Sequence, residues 1–106
     1  MKTNVNEKFG LKVGQILESY DGSYSFYEVL GFTDTKVRLA QIKTDYYNYK
    51  AERCFGYVSN VRPAVGENRF FSKPFLRKVN EAKNYVAINS YTWASPYDGR
   101  VLEEHY

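Results

Sequence analysis

The side chains able to do chemistry are few. Two Tyr-Asp-Gly tripeptides, Tyr20-Asp21-Gly22 and Tyr97-Asp98-Gly99, each set one carboxylate beside a glycine. Brought to one end of a fold, Asp21 and Asp98 can act as acid and base, as in a metal-dependent nuclease, or share a divalent cation. A further acid would be needed near them, and no fixed spacing supplies one. Asp-Gly is also ordinary turn chemistry, because glycine takes positive φ without strain, and that reading takes precedence. Cys54 follows Arg53, a neighbour able to lower a thiol pKa. A lone cysteine in a strand otherwise serves as a small packing residue. The single His105 is penultimate, so a Cys–His pair requires the tail to fold back onto Cys54. One cysteine and one histidine leave no internal disulfide and no Cys-rich zinc site. No motif names a reaction, so the expectation is a non-enzymatic binding module with no catalytic residue, no metal and no cofactor.

What the chain does carry is aromatic and basic surface. It has eleven Tyr, seven Phe and one Trp in 106 residues, more rings than a core of that size absorbs. Phe26, Phe55, Phe75 and Trp93 are expected inside. Tyr46, Tyr47 and Tyr49 lie in a polar stretch flanked by Lys43, Lys50 and Arg53. Exposed Tyr beside Lys or Arg is the composition of a stacking platform for single-stranded nucleic acid, at about 1–3 kcal/mol per stacked base. The same composition makes protein–protein hot spots, or a barrel rim that only covers its own core.

The formal net charge of +3 is unevenly placed. Residues 36–83 hold eleven Lys/Arg against four acids, whereas residues 1–35 and 84–106 each carry −2. A basic middle between acidic ends steers an anionic partner toward one face. Within it, Arg62, Arg69, Lys73, Arg77 and Lys78 surround one loop. They line a single groove if the strand that follows lies beside the strand ending at Arg62. Arginine forks suit phosphate, and such a surface weakens steeply with salt. The alternative is a charged exterior that blunts edge pairing.

The elements that position these groups read as strands. Residues 15–20, 24–31, 36–42, 53–61, 73–79 and 85–91 alternate or are rich in aromatic and β-branched types, with turns at Asp21-Gly22-Ser23 and Thr33-Asp34-Thr35. Residues 24–31 and 36–42 make the most secure hairpin. Residues 43–52 read as an exposed loop, residues 1–12 as a frayed start or one short turn, and residues 92–106 as a tail packed on the rest. One domain over residues 1–106 is expected, an all-β, small antiparallel barrel of about five to six strands, SH3-like first and OB-like second. No run of eighteen apolar residues spans a membrane. The polar start, Met-Lys-Thr-Asn-Val-Asn-Glu-Lys, has no apolar signal segment, so a cytoplasmic, reducing setting is expected.

Two segments carry a family resemblance. Ser19-Tyr20-Asp21-Gly22-Ser23 followed by Phe26-Tyr27-Glu28-Val29 and Lys36-Val37-Arg38-Leu39 resembles the opening of a family of small proteins encoded by bacteriophages and other mobile elements. There a Gly-Tyr-Asp turn precedes an Asp-Phe-Tyr-Gln-Val strand and a similar hairpin partner. Residues 88–99, Ile-Asn-Ser-Tyr-Thr-Trp-Ala-Ser-Pro-Tyr-Asp-Gly, are similar to the family's closing Ser-Tyr, Ala-Ser and Trp-Asp-Gly segment. Tyr97 stands where Trp is usual and Glu28 where Gln is usual. The likeness covers most of residues 14–99 and is loose in its middle third. It implies a context, a mobile-element accessory protein in the host cytoplasm, and no reaction. It also implies an alternative to nucleic acid or a nucleoprotein complex as the partner: a host defence effector blocked by occlusion, as anti-CRISPR proteins do.

Overall fold

Alternating apolar and polar side chains, turned at glycine or at a hydroxyl that binds its own backbone, set the local structure. The computed structural model describes residues 6–52 and 56–105, which contain eleven strands and no helix. β1 (Glu7–Lys8) and β2 (Leu11–Lys12) form a short hairpin. Its turn residues Phe9 and Gly10 both have positive φ, 59° and 77°, the backbone of a type I′ turn. Residues 6–12 are thus neither frayed nor a lone turn. Leu11 joins the main core, and Lys8 Nζ donates to the Thr33 carbonyl at 2.9 Å.

β3 (Ile16–Tyr20), β4 (Tyr24–Phe32) and β5 (Lys36–Ile42) follow as antiparallel neighbours, as the alternation implies. Gly22 (φ 80°) turns β3 into β4. The Thr33 hydroxyl accepts the Lys36 N–H at 3.0 Å and turns β4 into β5. The chain then leaves the barrel as a hairpin of β6 (Thr44–Glu52) and β7 (Gly56–Pro63). It returns as β8 (Phe75–Asn80), β9 (Tyr85–Ala87), β10 (Trp93–Pro96) and β11 (Leu102–His105).

A closed barrel has the order β3-β4-β5-β8-β9-β10, with β10 pairing back onto β3. Every neighbour is the next barrel strand along the chain. The expected small antiparallel all-β barrel is therefore present as a six-stranded meander, without the Greek-key crossover of an OB fold. The tail is corrected: β10 closes the barrel and β11 extends a second sheet, ordered β11-β7-β6.

Inside the barrel pack Leu17, Tyr27, Val29, Val37, Leu39, Val86 and Ala94. The alternate residues of β3 to β5 point outward, and several are apolar. The second sheet covers them: Phe26 and Ile42 on the barrel's outer face pack against Val61 and Leu102, with Ile16, Tyr24 and Tyr97 at the margin. Trp93 is a correction. Because Ala94 points inward and is fully buried, its neighbour Trp93 points out and is 56% exposed. Phe75 is only partly buried, Phe26 is fully buried as expected, and Phe55 lies outside the described residues.

Two arginine forks clamp loops onto the barrel's outer face. Arg69 donates through Nε and Nη2 to Glu28 at 2.7 and 3.0 Å. Arg100 donates through Nη1 and Nη2 to Glu18 at 2.6 and 3.0 Å. Glu18 and Glu28 are largely shielded from water, so each carboxylate needs its partner. Arg69→Met is expected to lower the urea midpoint of unfolding, and adding Glu28→Gln is expected to restore part of it. A double variant no more stable than the single one would show that the stranded carboxylate is not the cause.

Candidate nucleic-acid interface

The stretch read as a loop is a nine-residue strand. Its polar composition misleads because strand formation here depends on cross-strand pairing with β7, which runs from Thr44 opposite Pro63 to Glu52 opposite Gly56. Asn48 (φ 53°) sits at a register shift between Tyr47 and Lys50. The irregularity re-aims the side chains of the outer half. Tyr49 is 64% exposed and stacks on Tyr57, with ring centroids 5.2 Å apart and planes 16° from parallel. Tyr46 is 50% exposed. Tyr47 is half-buried under the Arg62 guanidinium, 4.3 Å from its ring centre.

The predicted cations separate into two groups. Three arginines are engaged within the protein. Arg62 Nε donates to Asp45 at 2.7 Å, and this bond holds its pKa above the ordinary arginine value. Arg69 is held by Glu28, with the same direction of shift, and stacks on Phe70 at 4.3 Å. Arg77 sits on the inward face opposite Val37 and donates to the Ile88 carbonyl at 2.8 Å. Lys43, Lys50, Lys73 and Lys78 are exposed and, among the described residues, meet no carboxylate within 4.0 Å. Arg53 and Cys54 lie outside the described residues.

The single groove expected around the Arg62–Lys78 loop does not form. β8 pairs with β5 and β9, not with β7. Its pairing with β5 builds a different basic surface. Lys36 stands directly opposite Lys78, and Arg38 is two residues along β5 on the same outer face. Lys36 and Arg38 likewise meet no carboxylate among the described residues. Their charges were visible in the sequence, but their partnership with Lys78 depends on a pairing made across the whole β6–β7 excursion. Past Leu39 the same edge of β5 is taken up by residues 70–72: Phe70 bridges Ile42, and the Phe71 N–H donates to the Gln41 carbonyl at 2.8 Å. Farther along β5 the outer-face residues Ala40 and Ile42 are buried, and Phe71, Lys43 and Tyr46 lie at the root of the hairpin. From residue 36 to 43 the strand spans about 23 Å.

Tyr20-Asp21-Gly22 leads into the bend between β3 and β4, and Tyr97-Asp98-Gly99 lies in the connection between β10 and β11, with Gly22 at φ 80° and Gly99 at φ 85°. Asp21 accepts a hydrogen bond from the Thr92 hydroxyl at 3.4 Å. Asp98 accepts from the Arg100 backbone N–H at 3.1 Å and from its guanidinium at 3.0 Å, and these bonds hold its pKa below the ordinary carboxylate value. Among the described residues no three His, Cys, Asp or Glu side chains converge on a metal position. A depressed carboxylate contributes stability above its unfolded pKa and loses it as pH falls through the folded one. Unfolding measured from pH 6 downward is therefore expected to show a loss beginning near pH 4 that Asp98→Asn reduces. An unchanged pH profile in that variant would contradict the segment's electrostatic role. His105 lies on β11 with its Nε2 3.6 Å from Glu103.

No family model matches the chain, and comparison with curated proteins and with solved structures gives no match either.

Proposed function

We propose that the protein is a non-enzymatic binding module for single-stranded nucleic acid, free or within a nucleoprotein complex. The strand would run along the β5–β8 seam and onto the tyrosines of the β6–β7 hairpin. The observation that carries this reading is the cross-strand pair Lys36 and Lys78, with Arg38 beside it and no carboxylate within 4.0 Å among the described residues. Like charges directly opposite in a sheet are destabilising by about 0.2–1 kcal/mol. A phosphate lying over the pair removes that repulsion, so the bound state gains what the free protein lacks. The stacked Tyr49 and Tyr57 then offer π-faces that any base can use. Fluorescence anisotropy with labelled single-stranded and duplex oligonucleotides tests the reading. The expected result is binding of the single strand, and tighter binding of duplex would contradict it.

The resemblance of residues 19–39 and 88–99 supports a proposed context for this activity, that of a phage or mobile-element accessory protein acting in the host cytoplasm. One observation favours a second reading, occlusion of a host defence effector. Trp93, Tyr91 and Tyr20 are exposed, and Tyr, Trp and Arg are the residue types that anchor protein interfaces. A plaque assay on a defended host decides it. Protection lost in Trp93→Ala and kept in Lys78→Gln would favour the protein partner.

A further inference from the structure

At the root of the β6–β7 hairpin, where it leaves the barrel, lies a cleft of about 470 Å³. That is within the range of small-molecule sites, about 300–1,000 Å³. Residues 41–44, from the end of β5 into β6, run along it. Tyr24, Tyr46 and Phe71 stand in its walls, and Gln41, Lys43 and Thr44 supply its polar groups. None of its lining residues is acidic. Two other clefts among the described residues differ in this respect. One contains Glu18 already bound by Arg100, and the other contains Glu81 beside Lys78.

The frame of this cleft is fixed before any ligand arrives. The Phe71 N–H donates to the Gln41 carbonyl at 2.8 Å, and the Ser72 hydroxyl accepts the Gln41 N–H at 3.0 Å. The Lys43 backbone N–H donates to the Arg69 carbonyl at 2.7 Å, and its carbonyl accepts from Ala64 at 2.9 Å. The Tyr24 N–H donates to Glu104 Oε2 at 2.6 Å. Two groups on this rigid frame remain uncommitted. The Phe71 ring is 68% exposed although its backbone is pinned. The Gln41 side-chain amide makes no hydrogen bond among the described residues, so its donor and its acceptor are both free.

We propose that this cleft is a nucleobase pocket. It takes one unstacked base of the bound strand against Tyr46 and Phe71, with Lys43 on the adjoining phosphate and the Gln41 amide on the base edge. The inference rests on the nucleic-acid reading above and deepens it, because the pocket supplies a base preference that the open seam cannot. A free amide matches the paired donor and acceptor that adenine presents at N6 and N7. Adenine is therefore the preferred base.

The test has two arms. In the first, adenosine 5′-monophosphate is titrated into the protein while backbone amide NMR signals are followed. Shifts centred on Gln41, Thr44 and Phe71, lost in Phe71→Ala, support the pocket. In the second, a single-stranded dA12 is compared with dT12 by anisotropy. Wild type is expected to favour dA12, Phe71→Ala to weaken it about 10-fold without changing the salt slope, and Gln41→Leu to erase the preference. Oligonucleotide binding that is base-indifferent and untouched by Phe71→Ala, with no nucleotide shifts at the cleft, overturns the pocket and leaves the seam intact. Failure of both ligands to bind overturns the pocket and the nucleic-acid reading together. Phe71 is mostly in solvent, so its truncation leaves folding undisturbed, and an unchanged thermal midpoint verifies that.

Discussion

Phe26→Ala is expected to lower the free energy of unfolding by about 3–5 kcal/mol, a large share of what a domain of this size possesses. The size of the effect follows from where the ring sits. Phe26 is fully buried, yet it points away from the barrel interior, since its strand neighbours Tyr27 and Val29 fill that space. It meets Ile42 across β5, Val61 from β7 and Leu102 from β11, with Tyr97 edge-on at 5.5 Å between ring centres. Truncation leaves a cavity shared by two sheets, and neither sheet can collapse into it without breaking its own ladder. Chemical denaturation followed by tyrosine fluorescence measures the loss. A cost under about 1 kcal/mol would mean that the β11-β7-β6 sheet does not cover the barrel as described.

The second large effect concerns affinity. Replacing Lys36, Arg38 and Lys78 together with Gln is expected to weaken single-stranded nucleic acid binding by about 10²–10³-fold at 50 mM salt. The same change should reduce the slope of log affinity against log salt by about 2, since each lost phosphate contact removes about 0.7. The variant should be no less stable than wild type, because the Lys36–Lys78 repulsion goes with it. Weaker binding with a matching loss of fold would instead indicate structural damage. Unchanged binding would remove the β5–β8 face from the interface and return attention to Lys50 and the Tyr49–Tyr57 stack.

These two surfaces were unequally legible in the sequence. The β4–β5 hairpin could be read because Val29, Val37 and Leu39 alternate with polar partners and Thr33-Asp34-Thr35 marks the turn between them. The six-stranded barrel followed in class. Its pairings did not, because β5 meets β8 only after an excursion of more than thirty residues, and a local pattern carries no information about that register. β6 was hidden by its polar residues, and β10 and β11 by their length of four residues each. Trp93 was misplaced because bulk suggested burial, whereas the pleat puts Ala94 inside and Trp93 out. The arginines were the hardest. Arg69 looks like a phosphate ligand until its partner appears, and Glu28 lies 41 residues away. No such carboxylate reaches Lys43, Lys50, Lys73 or Lys78 among the described residues.

The central claim is that solvent-facing cations and tyrosines on this barrel hold a single nucleic acid strand. Equilibrium titration of a labelled single-stranded 12-mer between 50 and 200 mM salt tests it most directly. The account predicts micromolar or tighter binding at the low end, weakening linearly in log salt. No binding at tens of micromolar protein, or binding indifferent to salt, would contradict it.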